Sequence, residues 1–251
     1  MLTSERHQLI LEQLKVKYTV KIQELVDLTN SSESTIRRDL SQLEDEKYLK
    51  RIHGGASLLQ GKLSEPTISE KSAKNHHEKA MIAKEAASLV EEGECIYLDA
   101  GSTTLLMVEF LPVNKELVVV TNGLTIIDPL MKKGIKTYLI GGYLKPITGA
   151  MIGRGALAAI EQYRFDKCFL GVNGIHIELG YTTPDPEEAA LKMAALQLSR
   201  EKYVLADHTK FGEISFSKIA DLSEAKIITD ETEDNVLHPY TQNTAIKVVN
   251  I

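Results

Sequence analysis

Apolar positions in the first sixty residues recur at intervals of three and four. Leu9, Ile10 and Leu14 form one stripe, Ile22, Leu25 and Val26 a second, and Ile36, Leu40 and Leu43 a third. That periodicity predicts amphipathic helices near Thr3 to Lys15, near Val20 to Leu28, and from Ser32 onward. Thr29 to Ser31 separates the last two, which makes a helix-turn-helix. Ser32 is placed to cap the third helix, because its hydroxyl can accept from a first-turn amide, and Glu33 complements the positive end. From Tyr48 to His53 the pattern becomes extended, and Gly54-Gly55 permits a tight reversal into Ala56 to Leu59. The expectation is a winged helix over residues 1–58.

Residues 59–78 hold few large apolar side chains but contain Gly61, Pro66 and several serines, the composition of a linker passing into a helix. From Glu78 the period alternates between helix and strand. A helix with Ile82, Ala86, Leu89 and Val90 on one face leads to the strand Cys95 to Leu98. Then come a helix at Thr103 to Phe110, the strand Leu117 to Thr121, a helix at Leu124 to Lys132 and the strand Thr137 to Gly141. The alternation continues with a helix at Ile152 to Tyr163, the strand Lys167 to Val172, a helix at Glu187 to Arg200, and strands at Tyr203 to Ala206 and Lys226 to Thr229. A final helix and strand close the chain. Short, continuously apolar strands alternating with helices are what a parallel sheet buried on both faces requires. Residues 79–251 therefore read as a Rossmann-like α/β domain with a parallel sheet.

The third helix carries the first candidate chemistry. Opposite its apolar stripe lie Ser34, Thr35, Arg37 and Arg38, with Ser32 at its start. Small hydroxyl residues and two arginines let a helix enter a major groove, offering hydrogen bonds to base edges and charge to phosphates. Lys47, Lys50, Arg51 and His53 fall on the wing, where it would run beside the sugar-phosphate backbone. The plainer alternative is a solvated helix face whose arginines pair with Asp39 or Glu44.

In an open parallel sheet, ligands bind outside the carboxyl ends of the strands. The turns there read Asp99-Ala100-Gly101-Ser102-Thr103-Thr104, Thr121-Asn122-Gly123, Gly141-Gly142, Gly171-Val172-Asn173-Gly174 and Asp207-His208-Thr209-Lys210. Gly101 lets a backbone approach, the hydroxyls and amides after it face a helix N-terminus, and Lys210 adds a full charge. Together they suit a phosphorylated small molecule. Any α/β protein needs glycine and capping hydroxyls in such turns, so each turn alone also fits a purely structural role.

Charge sharpens the division. The chain of 251 residues has a formal net charge of −6, which argues against indiscriminate coating of nucleic acid. Residues 1–56 hold nine Lys+Arg and nine Asp+Glu, leaving twenty against twenty-six for the remainder. A neutral small domain with clustered arginines still suits specific DNA. Cys95 and Cys168 sit in apolar runs without metal-ligand spacing, and His76-His77 lacks a third ligand at helical spacing, so neither metal nor cofactor is expected. With no signal peptide and no long apolar segment, a cytoplasmic chain that avoids membranes is expected.

The block TIRRDLSQLEDEKYLKRIHGGA resembles the amino-terminal domain of the DeoR family of bacterial transcriptional regulators. YLDAGSTT, VVVTNG, LIGG, FDKCFLGVNGI and VLADHTKF match, in order, that family's effector domain, which is similar in fold to sugar-phosphate isomerases such as ribose-5-phosphate isomerase. The stretches RFDKCFLGVNGI and GYTTPDPEEAALKMAA are most similar to the fructose-operon repressors. The resemblance implies a repressor of a fructose phosphotransferase and phosphofructokinase operon, bound to operator DNA and released by fructose 1-phosphate. It implies Thr35, Arg37 and Arg38 as groove and phosphate contacts. It also implies a pocket lined by Asp99, Gly101, Ser102, Thr103, Thr104, Asn122, Gly142, Asn173, Asp207 and Lys210. Glu187 and Glu188 are candidates to receive sugar hydroxyls, with helix-start acids as the alternative. One small winged helix rarely binds tightly, so a homodimer or homotetramer on paired half-sites is expected. Two rival readings stay open: another effector, such as tagatose 6-phosphate or glycerol 3-phosphate, and a sugar-phosphate isomerase using Asp99, Glu187, Asp207, His208 and Lys210.

Overall fold

In the computed structural model the chain divides into two compact units, Met1–Gly61 and Lys62–Ile251. The structure describes residues 2–17, 19–46, 48–52, 54–58, 65–113 and 116–249.

The first unit runs α1 (Thr3–Lys17), β1 (Thr19–Lys21), α2 (Ile22–Thr29), α3 (Glu33–Asp45), β2 (Leu49–Ile52) and β3 (Gly55–Leu58). Its core is the three predicted stripes, with Ile10, Leu14, Leu25, Ile36, Leu40 and Leu43 buried together with Leu49 and Ala56. Asn30 closes α2 in the left-handed region, φ 49°, which asparagine tolerates better than most residues. Ser32 caps α3 by accepting from the Thr35 amide at 3.2 Å. The wing has a third strand that the sequence reading folded into α2. Val20 pairs with Ala56 in an antiparallel sheet ordered β1-β3-β2, and α2 starts only at Ile22. Val20 is apolar in either period, and cross-strand pairing decides its place.

The second unit opens with α4 (Ile68–Ala73), α5 (His76–Ser88), β4 (Cys95–Leu98), α6 (Ser102–Phe110), β5 (Val118–Thr121), α7 (Leu124–Lys132) and β6 (Lys136–Leu139). A hairpin of β7 (Tyr143–Lys145) and β8 (Ala150–Ile152) follows, then α8 (Arg154–Ile160) and β9 (Phe165–Gly171). After β10 (Gly174–His176) and β11 (Gly180–Thr183) come α9 (Pro186–Gln197) and β12 (Ser199–Leu205). The chain ends with a short 3-10 turn at His208–Lys210, β13 (Ser217–Ala220), β14 (Lys226–Thr229), α10 (Asp234–Thr241) and β15 (Ile246–Val248).

Seven strands form one parallel sheet in the order β15-β14-β12-β9-β4-β5-β6. The chain walks outward from β4 through β5 to β6 and then returns to β9 on the other side of β4. That reversal puts the switch point of the sheet between the carboxyl ends of β4 and β9, where this topology opens a crevice. Both faces are covered. Ile96 and Leu98 pack with α5, α6 and α7, whereas Tyr97 packs with α8 and α9. Alternate residues of one apolar strand thus enter different cores, which is why these strands lack polar alternation.

Four expectations change. Residues of the expected linker form α4, whose capping box has the Glu70 amide donating to Thr67 Oγ1 at 3.3 Å and the Thr67 amide to Glu70 Oε2 at 2.7 Å. Ile152 ends β8 instead of starting a helix. Ser199 and Arg200 begin β12 instead of ending α9, because Leu198 is already its cap. A small antiparallel sheet, β10-β11-β13, stands where no strand was expected.

Candidate functional site

In the first unit, α3 turns Ser32, Ser34, Arg37 and Arg38 to solvent, with Thr35 half-buried beside them. Ser32 Oγ lies 2.9 Å from Ser34 Oγ and 2.8 Å from Thr35 Oγ1, so the hydroxyls form one cluster at the helix start. Arg37 meets Glu33 at 2.6 Å, but both side chains are more than half exposed, and such a pair stabilises little. Arg38 has no ion pair among the described residues. Arg51, on β2, is tied to α3 by its amide on Glu44 Oε1 and its Nη1 on Ser41 Oγ, both at 2.8 Å. Lys50 is half-buried on the same strand, while Lys47 and His53 lie outside the described residues.

The alternative in which the recognition arginines pair with Asp39 or Glu44 is not what the structure shows: Arg37 meets Glu33 instead. Asp39 faces inward and accepts from Arg6 Nε at 2.6 Å, Arg6 Nη2 at 2.9 Å and His7 Nε2 at 3.3 Å. The hydrogen bond to Asp39 raises the Arg6 pKa. The Arg6–Asp39 pair fixes α1 to α3 and leaves the outward face of α3 to solvent.

In the second unit the carboxyl-end turns share one edge of the sheet, and they divide into groups already engaged and groups still open. Asp99, 1% exposed, accepts from the Gly171 amide at 3.0 Å and from Lys192 Nζ, so the pair closes the floor between β4 and β9. Burial pushes the Asp99 carboxyl up against the pull of Lys192. Thr104 donates to the Asp99 carbonyl at 2.6 Å and the Gly101 carbonyl at 2.9 Å. Asn122 accepts from the Ala100 amide at 2.9 Å and donates to the Met151 carbonyl at 3.3 Å. Asn173 accepts from Thr183 Oγ1 at 3.2 Å. Gly142, φ 156°, packs its α-carbon against the Ile152 carbonyl and Ala156, leaving no room for a side chain. These residues shape the turns; their side chains are spent on the protein itself.

The open groups start at α6. Gly101 caps it without a side chain, and among the described residues the amides of Ser102, Thr103 and Thr104 have no acceptor. Helices α7 and α8 likewise start on glycines, Gly123 and Gly153, without a side-chain cap, whereas two other starts on this edge are occupied. Asp185 occupies the start of α9, accepting from the Glu187 and Glu188 amides, and Asp207 occupies the start of the 3-10 turn through Thr209. An uncapped helix end of this kind attracts an anion.

Cations collect around Asp207. Lys210 Nζ is 3.9 Å from its carboxylate, and Asn75 donates to it at 3.2 Å. Burial opposes ionisation, yet Lys210, the Thr209 hydroxyl and Lys79 hold Asp207 at about 2. Burial brings Lys79 down to about 8, and burial together with Lys210 lowers Lys74. Lys79 also donates to the Lys71 and Lys74 carbonyls, and Glu213 as well as Asp207 acts on Lys74, so three lysines here stand against two carboxylates. Lys74, Asn75 and Lys79 escaped the sequence reading because they precede Asp207 by more than a hundred residues and lie near the expected linker. His208 is held by Asp230 at both ends, its amide on Oδ1 at 2.8 Å and its Nδ1 2.6 Å from Oδ2, and that hydrogen bond raises its pKa.

Glu187 is exposed, with its carboxylate over Gly153. Glu188 is buried and accepts from Thr148 at 2.9 Å and Lys145 at 3.1 Å. Two shallow grooves lie away from this edge: about 400 Å³ lined by His7, Leu11, Leu43 and Tyr48, and about 340 Å³ at the amino ends of β12 and β14. Since Asp99 and Lys192 seal the floor, a ligand at the carboxyl edge would contact the rim of turns above them.

A winged helix in one unit and an open seven-stranded parallel sheet in the other are the architecture of a DNA-binding regulator with a sensor domain. The chain belongs to the DeoR family: residues 6–62 match the DeoR-like helix-turn-helix domain and residues 74–231 the DeoR C-terminal sensor domain. It is 57% identical over 249 residues, 99% of each chain, to the HTH-type transcriptional regulator FruR of Bacillus subtilis strain 168. It is 37% identical over 92% of each chain to the lactose phosphotransferase system repressor of Staphylococcus aureus strain NCTC 8325 / PS 47. Among solved structures, ribose 5-phosphate isomerase A from Methanocaldococcus jannaschii matches 55% of each chain at 19% identity with a TM-score of 0.41, too distant a likeness to bear on function. Among the described residues, no helix is long and apolar enough to cross a membrane.

Proposed function

We propose that this protein is a cytoplasmic repressor of a sugar phosphotransferase and catabolic operon, with fructose as the sugar, and that a phosphosugar such as fructose 1-phosphate releases it from its operator. The observation that carries the ligand class is the coincidence, on one sheet edge, of three amides at the start of α6 that have no acceptor among the described residues and three lysines around Asp207. A phosphate carrying close to two negative charges satisfies both. Likeness to FruR and to a phosphotransferase system repressor supports the operon class. The operator is read by Ser32, Ser34, Thr35, Arg37 and Arg38 on α3, flanked by Lys50, Arg51 and His53 of the wing.

Release is thermodynamic. The sugar binds one arrangement of the protein better than another, and only that difference weakens DNA binding. Reading paired half-sites requires a homodimer or homotetramer. The edge binds without turnover in this reading, because its buried carboxylates Asp99, Glu188 and Asp207 are each engaged by the protein itself. Incubation with fructose 1-phosphate should therefore give no isomerised product, and turnover would reject the reading. A second effector, tagatose 6-phosphate, is favoured by the likeness to the lactose phosphotransferase repressor. Calorimetric titration with each phosphosugar ranks them, and equal affinity for glycerol 3-phosphate would remove fructose as the sugar.

A further inference from the structure

Lys145 ends β7 and meets carboxylates from two distant parts of the chain. Its ammonium lies 2.6 Å from Glu65 Oε2, 2.8 Å from Asp185 Oδ2 and 3.1 Å from Glu188 Oε1. Asp185 and Glu188 are the cap and first turn of α9, on the ligand edge. Glu65 belongs to the segment that joins the second unit to the winged helix. Its side chain is 5% exposed, and its other oxygen accepts from Lys71 Nζ at 2.7 Å. The Ile68 amide donates to the Ile147 carbonyl at 3.0 Å, so residues 65–68 lie as a strap along the β7–β8 turn and lead into α4, which packs on α6. Burial works against ionisation of Glu65, but Lys71 and Lys145 outweigh it and keep the carboxylate charged at neutral pH.

The cluster sets two cations against three carboxylates. Breaking a buried ion pair is costly chiefly when it leaves a charge alone. Parting Glu65 from Lys145 leaves neither alone, since Lys145 keeps Asp185 and Glu188 while Glu65 keeps Lys71. The contact can therefore exchange partners at low cost. The cluster already carries one negative charge in excess, so a neutral oxygen of the bound sugar, such as a hydroxyl that reaches Lys145 while the phosphate stays on the lysines around Asp207, takes the place of the strap's carboxylate.

We propose that the Glu65–Lys145 contact is a latch, which a phosphosugar at the sheet edge opens by displacing Glu65 and so frees the strap that leads to the DNA-reading unit. The inference rests on the phosphosugar reading above and adds the route by which occupancy leaves the site. By linkage, a ligand that must open the latch binds better once the latch is gone. Lys71 has the opposite role: without it, a displaced Glu65 is left uncompensated, and opening becomes harder.

Hydrogen exchange of the full chain, paired with calorimetry using fructose 1-phosphate, separates the two layers. In the wild type, amides 68–73 should be protected and should lose protection at saturating sugar. In E65Q they should exchange fast without sugar, and the sugar should bind about 5-fold tighter or more. K71M should bind it more weakly than the wild type, an opposite sign that general loosening would not produce. Equal exchange of 68–73 in wild type and E65Q overturns the latch whether or not the sugar binds, as does a shift of both variants in one direction. Binding by none of the three chains rejects the phosphosugar reading and, with it, the latch's trigger.

Discussion

Asp39 and Arg37 are two residues apart on α3 and do opposite work. Asp39 is 3% exposed and holds Arg6, so Asp39→Asn should cost about 1–3 kcal/mol of stability, read as a lowered melting temperature. An unchanged melting temperature would show that the buried pair contributes nothing. Arg37 and Arg38 are exposed, so Ala at either should leave stability within about 0.5 kcal/mol. Each should instead weaken operator binding by about 1–3 kcal/mol if it reads a base, or lower the salt slope by about one if it meets a phosphate. Operator titrations at several salt concentrations check this, and wild-type affinity and slope in both variants would mean that the helix faces away from DNA. The outward residues were legible because a helix face repeats within a few positions. The Arg6 partner was not, because it lies 33 residues away and no local period records that distance.

The wing tests the same logic for elements. A side chain at Gly55 would run into the Val20 carbonyl of β1, and backbone cannot step aside as a flexible side chain can. Gly55→Ala should therefore disturb the β1–β3 pairing and cost about 1–3 kcal/mol, seen as a lowered melting transition of the winged helix. Full stability in that variant would argue that β1 does not pair as described. Strand β1 itself was hidden because Val20 suits a helical stripe and a strand equally well. The inner strands of the parallel sheet were legible from their apolar runs, such as Val118 to Val120, since burial on both faces removes polar alternation, while the edge strands β6 and β15 are not buried. Strands β10, β11 and β13 were not, being short and mixed in polarity, with pairing partners that only the fold supplies. The signal for α4 was present in Thr67 and Glu70, a Ser/Thr-x-x-Glu box that the loop-like composition around it masked.

For the whole molecule, the charge state of the sheet edge sets when it binds. Lys79, brought by burial to about 8, loses its charge as pH rises past that value, whereas a bound phosphate favours the charged form. The phosphate itself reaches its second ionisation near pH 6, at about 6. Phosphosugar affinity should thus be highest between about pH 6 and 8 and fall above, with proton uptake on binding near pH 8. Calorimetry at pH 8 in two buffers of different ionisation heat measures that uptake, and its absence would place the phosphate away from the lysines. The edge was legible as a set of turns, since the fold rule gathers every strand's carboxyl end. Its division of labour was not, because whether Asp99 or Asn122 serves a ligand or the protein depends on partners distant in sequence, among them Lys192. The most direct test of the account is operator affinity of the full chain, followed by fluorescence anisotropy, with and without saturating fructose 1-phosphate. Coupling of about 1–3 kcal/mol predicts a roughly 5- to 150-fold loss of affinity, and an operator affinity unmoved by saturating fructose 1-phosphate would contradict it.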